Sequence, residues 1–142
     1  MAKTLIHIGW REHVDLPEFD VIGIEAKIDT GAKSSVIHAF FIRDVEIDGA
    51  PIVEFTLHPK RDRHHPELMC RALLIEKRII RSSNGEEETR PVIATEISLG
   101  GVSRTIEVTL TNRESMKYRM LLGRDALRGA YLVDPDVSFI LG

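Results

Sequence analysis

Three dipeptides constrain the fold of this chain more than any other feature: Asp48-Gly49, Asn84-Gly85 and Gly100-Gly101. Glycine preceded by Asp, Asn or Gly accepts the left-handed backbone of a tight turn, and each pair separates segments of strand length. Asp48-Gly49 reads as a turn, and the other two read as hairpin tips. Residues 4–10, 21–28, 35–47 and 52–58 are short apolar segments. The last of these alternates apolar and polar residues at period two, as a half-buried strand does. Residues 69–82 and 89–99 flank the Asn84-Gly85 tip, and 102–110 follows Gly100-Gly101. No long amphipathic helix is visible. The best helical segment is short, residues 124–130 after Gly123, and residues 131–141 read as a closing strand. With no repeat, linker or low-complexity tract, residues 1–142 form one mainly β domain, a small closed or partly open barrel.

Composition narrows the function classes. The 142 residues, 43% hydrophobic and 29% charged, suffice for one soluble domain with its own core. A formal charge of -3 gives no basic footprint for nucleic acid. The basic clusters at 58–65 and 76–81 read as solvated faces. No segment approaches the roughly 18 apolar residues of a membrane helix, and the N-terminal residues lack the features of a signal peptide. Cys70, the single cysteine, permits no internal disulfide and fits a reducing compartment. A cytoplasmic protein without membrane or nucleic-acid partners is the expectation.

The chemistry concentrates in two places. The apolar strand 21–28 runs into Asp29-Thr30-Gly31, followed by Ala32, Lys33, Ser34 and Ser35. Gly31 lets the backbone turn sharply beside the Asp29 carboxylate, and the Thr30 hydroxyl can tie the turn to a neighbouring backbone. A β-turn that happens to contain Asp is the plainer alternative. Near the C-terminus, Met120, Leu121 and Leu122 lead into Gly123, Arg124 and Asp125 at a helix start. D-T-G-A followed later by hydrophobic-hydrophobic-Gly and a short helix resembles the retropepsin family of aspartic proteases, single-domain peptidases that act as homodimers. A narrower resemblance spans nearly the whole chain. It is similar to a bacterial group of small retropepsin-like proteins labelled "ATP-dependent zinc protease" and associated with ATP-grasp ligases that add glutamates to ribosomal protein S6.

The zinc part of that label is not supported by the residues. No H-E-x-x-H occurs, and no G-x-x-x-x-G-K-S/T loop for ATP. A weak alternative zinc set is His58, His64, His65, Glu67 and Cys70, irregularly spaced in a charged loop and better read as solvated. No cofactor is expected. Cys70 as a nucleophile would need a His base and an orienting group; within its strand-like context it reads as a buried structural thiol. Ser34 and Ser35 are expected to satisfy backbone groups, and His38 to be a core or supporting residue.

The resemblance implies a retropepsin-like barrel with one short C-terminal helix, assembled as a C2 homodimer that brings two copies of Asp29 together. It implies catalytic roles for Asp29, Thr30 and Gly31, with Thr30 joining the two loops across the axis. Ala32, Lys33, Leu122, Gly123, Arg124 and Asp125 support the site or bind substrate, and Ser83, Asn84 and Gly85 form a candidate flap. The chain departs from the family at Lys33, where Asp is common and pairs with the Arg after the glycine. Lys33 and Arg124 carry like charge, so Asp125 is expected to neutralise one of them. The expected substrate is a peptide or protein, with acidic or glutamate-tagged tails favoured, and an ATP-grasp ligase is a partner by analogy. A non-catalytic peptide-binding or dimerisation module of the same fold is the competing reading, and a zinc-dependent peptidase is the third.

Overall fold

The computed structural model describes residues 4–60, 67–81, 84–112 and 117–142. Among the described residues twelve strands dominate: β1 (Ile6–Gly9), β2 (Arg11–Leu16), β3 (Val21–Ile28), β4 (Ser35–His38), β5 (Phe40–Ile47), β6 (Ala50–Leu57), β7 (Leu68–Leu73), β8 (Glu76–Arg81), β9 (Glu87–Leu99), β10 (Val102–Thr111), β11 (Met120–Leu122) and β12 (Tyr131–Asp134). One α-helix, α1 (Arg124–Leu127), precedes β12, and a single 3₁₀ turn covers Pro17–Phe19.

The turn dipeptides act as their chemistry requires. Asp48 and Gly49 both adopt positive φ (53° and 80°), as do Gly100 and Gly101 (63° and 79°), so each pair closes a tight hairpin. Asn84 accepts a bond from the Glu86 amide at 3.1 Å, and Gly85 has φ 87°. Period-two patterning then sorts side chains between core and solvent. In β3, Val21, Ile24, Ala26 and Ile28 are buried, and in β9 so are Ile93, Ile97 and Leu99.

Six strands close a barrel in the order β10-β4-β11-β3-β2-β9, with the β9–β10 hairpin completing the circuit and β8 continuing outward from β9. Strands β5, β6 and β7 form a separate antiparallel sheet, and β1 pairs in parallel with β12. The barrel and the three-stranded sheet share one core. Val53, Phe55 and Leu57 of β6 join Leu16, Ile24, Ile37, Leu110 and Met120 in a continuous buried cluster, and Phe55 meets Phe19 edge-on at 5.4 Å.

Several expectations change. Residues 35–47 are two strands, broken at Ala39, where Phe41 has φ 53° and the β5–β6 register shifts. Residues 69–81 of the next expected strand are also two strands, because the Leu74 amide turns to the Pro51 carbonyl and the Ile75 amide to Val92. Residues 11–16, unremarked in the sequence, form a central barrel strand. Only 131–134 of the expected closing strand is extended. Beyond it the chain turns at Asp134-Pro135 and packs along β2, with Phe139 at φ 53° donating to the Arg11 carbonyl. Fully buried Glu12 anchors this segment, accepting from the amides of Gly9 (2.6 Å), Ile140 (3.1 Å) and Leu141 (3.3 Å). Among the described residues no helix is long and apolar enough to cross a membrane.

Candidate active site

Strand β11 is inserted between β3, which enters the Asp29 turn, and β4, which leaves it. It runs parallel to β3 and antiparallel to β4. Asp29 is held by this crossing and by the turn itself. The Asp29 amide donates to the Leu122 carbonyl at 2.8 Å, and the Ile28 amide to Trp10 at 2.8 Å. The turn closes with Ala32 N–H to the Asp29 carbonyl at 3.2 Å, and the Gly31 amide donates to Asp29 Oδ1 at 3.0 Å. That last bond is an Asx turn, which fixes one carboxylate oxygen without a cation.

The beginning of α1 locks the turn from the other side. Arg124 and Asp125 donate their amides to the Ala32 and Lys33 carbonyls at 2.8 and 3.1 Å, and Arg124 Nη1 donates to the Thr30 carbonyl at 2.9 Å. Gly123 donates to Ser35 Oγ at 3.0 Å. A Cβ at Gly123 would lie 2.4 Å from the Ser34 carbonyl oxygen, so close passage of two backbones, not an unusual φ, demands glycine here. Gly31, expected to serve a sharp turn, is likewise restricted by space. Its φ is not left-handed, and what restricts it is the Asp29 carboxylate, 3.2 Å from where a Cβ would stand.

Asp29 is half-buried, while Thr30, Gly31 and Lys33 are exposed and Ala32 and Arg124 half-buried. Asp29, Thr30, Gly31, Ala32, Lys33, Leu122, Gly123, Arg124 and Asp125 therefore form one constellation. The expected neutralisation by Asp125 does not occur. Arg124 spends its guanidinium on a backbone carbonyl, and Asp125 contributes its amide. Ser35 satisfies a backbone amide as expected. Sequence reasoning missed the Arg124–Thr30 bond, because a family pattern that pairs this Arg with a carboxylate gives no hint of a carbonyl acceptor.

The remaining candidates fall elsewhere. Asn84 and Gly85 lie in the turn of the β8–β9 hairpin, next to which Arg81 and Glu87 pair at 2.5 Å; Ser83 lies outside the described residues. His38 is buried against the edge of Phe40 at 4.6 Å, and His58 packs on the same ring at 4.4 Å. His58 Nε2 lies 3.2 Å from Glu67 Oε1. Cys70 is buried, its Sγ pointing to the Leu68 carbonyl at 3.5 Å, and desolvation pushes its thiol up to about 11. That is the opposite of an activated nucleophile. Among the described residues no three His, Cys, Asp or Glu side chains assemble as a metal group; His64 and His65 lie outside them.

The strand-inserted crossing at a D-T-G turn agrees with the match of residues 7–142 to a family described as the RimB-like, retropepsin-like aspartic endopeptidase RimB. The chain belongs to this RimB-like family. It is 48% identical over all 142 residues to a probable alpha-L-glutamate ligase of Shewanella pealeana, covering 31% of that protein. It is 42% identical to another of Desulfotalea psychrophila, covering 30% of it. The chain thus spans about a third of the length of the curated relatives it matches. A solved Legionella pneumophila protein of unknown function superimposes with a TM-score of 0.81 at 32% identity, over 98% of this chain and all of that one. This likeness covers both the barrel and the appended sheet.

Proposed function

We propose that this chain is an aspartic-type endopeptidase whose reactive pair is Asp29 from two copies in a C2 dimer. The observation that carries the reading is the carboxylate itself: half-buried, fixed at one oxygen by the Gly31 amide, and, among the described residues, without an ion-pair partner. One chain offers one such group, and a twofold axis supplies the second. Two adjacent carboxylates cannot both ionise cheaply, so they share a proton. The ionised one takes a proton from a water, whose oxygen bonds to the scissile carbonyl carbon. The protonated one gives its proton to the carbonyl oxygen. The carboxyl that took the water's proton gives it to the nitrogen, the other carboxylate takes back one diol proton, and the C–N bond breaks to leave acid and amine. The Thr30 hydroxyl, exposed in the turn, is the group that bridges the two loops across the axis in this reading.

The substrate reading follows from charge. Lys33 is exposed beside Asp29, and no acidic side chain neutralises it among the described residues. An acidic peptide such as a glutamate-tagged tail complements that cation, and relatives named glutamate ligase support an association with ligases of this kind. Asp29→Asn keeps size and hydrogen bonding but removes the base; it should lower cleavage of a glutamate-rich peptide at least ~10³-fold with the fold unchanged. The Gln counterpart of that peptide should be cleaved more slowly by the wild type, and added salt should narrow the gap. Wild-type turnover in Asp29→Asn, or cleavage by a strictly monomeric protein in sedimentation, would overturn the dyad. Loss of activity to chelators alone would favour the zinc reading.

A further inference from the structure

The three-stranded sheet has an inner face in the core and an outer face whose chemistry the peptidase reading leaves unused. Register places its outward side chains in rows. Arg43, Glu54 and Arg71 lie directly opposite one another across β5, β6 and β7. Glu54 Oε1 accepts from Arg43 Nε at 2.7 Å, and Oε2 accepts from Arg71 Nε at 2.6 Å. The first guanidinium and then the second hold the Glu54 carboxyl below its usual range. On one side of this rung stand Phe41 and Met69, 77% and 91% exposed. On the other stand Val45, Ile52 and Leu73, the last 57% exposed. The floor between Phe41, Met69 and the rung, where buried Thr56 stands opposite Met69, is an open depression of about 890 Å³; Glu67, which also lines it, is engaged by His58 Nε2 at 3.2 Å.

Phe41 is held outward by its backbone. It sits at φ 53° in the register shift of β5, an unusual conformation for a bulky residue. Bulges re-aim side chains, and strained positions mark surfaces that are used. An outer sheet face normally carries polar residues; this one presents apolar, cationic and apolar rows in sequence. Its charge selects the occupant. Two arginines against one glutamate leave the rung net positive, so an isologous contact centred on Glu54 would set arginine against arginine and Glu54 against itself.

The geometry points to a docking face for an amphipathic helix of a partner protein, bearing an acidic residue between two apolar ones. Rows along a strand are about 6.6–6.8 Å apart. A helix laid along the strands offers side chains at i, i+4 and i+8 about 6 Å apart, matching apolar, acidic and apolar to the three rows. This face lies on a different sheet from Asp29, so the inference stands or falls independently of catalysis.

The test is NMR titration of the labelled full chain with a synthetic helical peptide carrying Leu, Glu and Leu at i, i+4 and i+8, and with its Glu→Lys twin. The Glu peptide should shift the Met69 methyl and the amides of 41–45, 52–56 and 69–73, saturably. The Lys peptide should bind at least tenfold more weakly. The double variant Arg43→Glu/Arg71→Glu should reverse that preference, and Met69→Asp should abolish binding while leaving amides outside the face unmoved. Equal binding of both peptides, or shifts lying elsewhere, would overturn the proposal. So would concentration-dependent movement of the Met69 methyl without peptide, which would assign the face to a second copy.

Discussion

The Asp29 crossing and the outer face of the three-stranded sheet are built on opposite principles. At the crossing, backbone meets backbone. Gly123, Leu122, Ala32 and Thr30 are specified by carbonyls and amides held within about 3 Å of one another, and side-chain volume is excluded. On the outer face, side chains do everything, and a rung of Arg43, Glu54 and Arg71 stands on a backbone that any antiparallel sheet would provide. The first arrangement tolerates almost no substitution. The second can change chemistry without changing fold. A chain carrying both keeps one region of fixed backbone geometry beside a surface whose side chains are free to vary.

The sharpest way to break this contrast is Gly123→Ala. The added methyl would stand 2.4 Å from the Ser34 oxygen and 2.8 Å from the Lys33 carbonyl carbon. These atoms are backbone, and the neighbouring Ala32 and Lys33 carbonyls are held by the Arg124 and Asp125 amides, so nothing can yield cheaply. A loss exceeding ~4 kcal/mol is expected, in the range reserved for severe defects, and chemical denaturation would measure it. A stable Gly123→Ala protein would mean that the crossing is softer than its geometry implies.

Phe55→Ala comes next and tests whether the two regions are energetically one. Phe55 is 2% exposed on the inner face of β6 and meets Phe19 beneath the barrel. Truncating a buried Phe costs about 3–5 kcal/mol. Because barrel and sheet share a continuous core, a single cooperative transition should shift as a whole. A separate low-temperature transition for the three-stranded sheet would show that it is an independently melting addition.

These two regions also differ in how far the sequence revealed them. The Asp29 turn and Met120–Gly123 were legible because close backbone approach admits few residues, leaving D-T-G and L-L-G as visible traces. The hairpins were legible for a related reason: left-handed turns select Asn, Asp and Gly. The three-stranded sheet was hidden. Its rung joins residues 43, 54 and 71, which no period links, and only strand register places them in a row. The break at Phe41 was hidden too, since nothing in Ala39-Phe40-Phe41 marks a bulge. Strand β2 went unnoticed because its Arg11, Glu12 and His13 look like a polar loop, although Glu12 is fully buried and satisfied by three amides.

Cys70 offers a smaller effect within the inner face. Its thiol is raised to about 11 by desolvation, from 9.0 when exposed. The folded state therefore favours the protonated form. That contribution to stability is complete below about pH 9 and is lost as pH rises through 11. Alkylation by iodoacetamide at pH 8 should be slow in the native protein and accelerate on denaturation, since thiolate is the nucleophile. Rapid native labelling would mean that the sheet opens locally at β7.

The smallest expected effect belongs to Met69→Ser. Met69 is 91% exposed and lies opposite Thr56 on the outer face, so its side chain gives up little contact when shortened. Thermal or chemical denaturation should register a change within ~0.5 kcal/mol, as for most surface substitutions. This near-zero result distinguishes an outward face from a core face on the same sheet: Met69 and Cys70 are consecutive in β7, yet one is exposed and the other 7% exposed. Cys70→Ser should cost more, since it places a hydroxyl where the thiol is desolvated. A large loss at Met69 would mean that the side chain is already covered within the isolated chain, and that the apolar rows beside Arg43 and Arg71 serve the fold and not a partner.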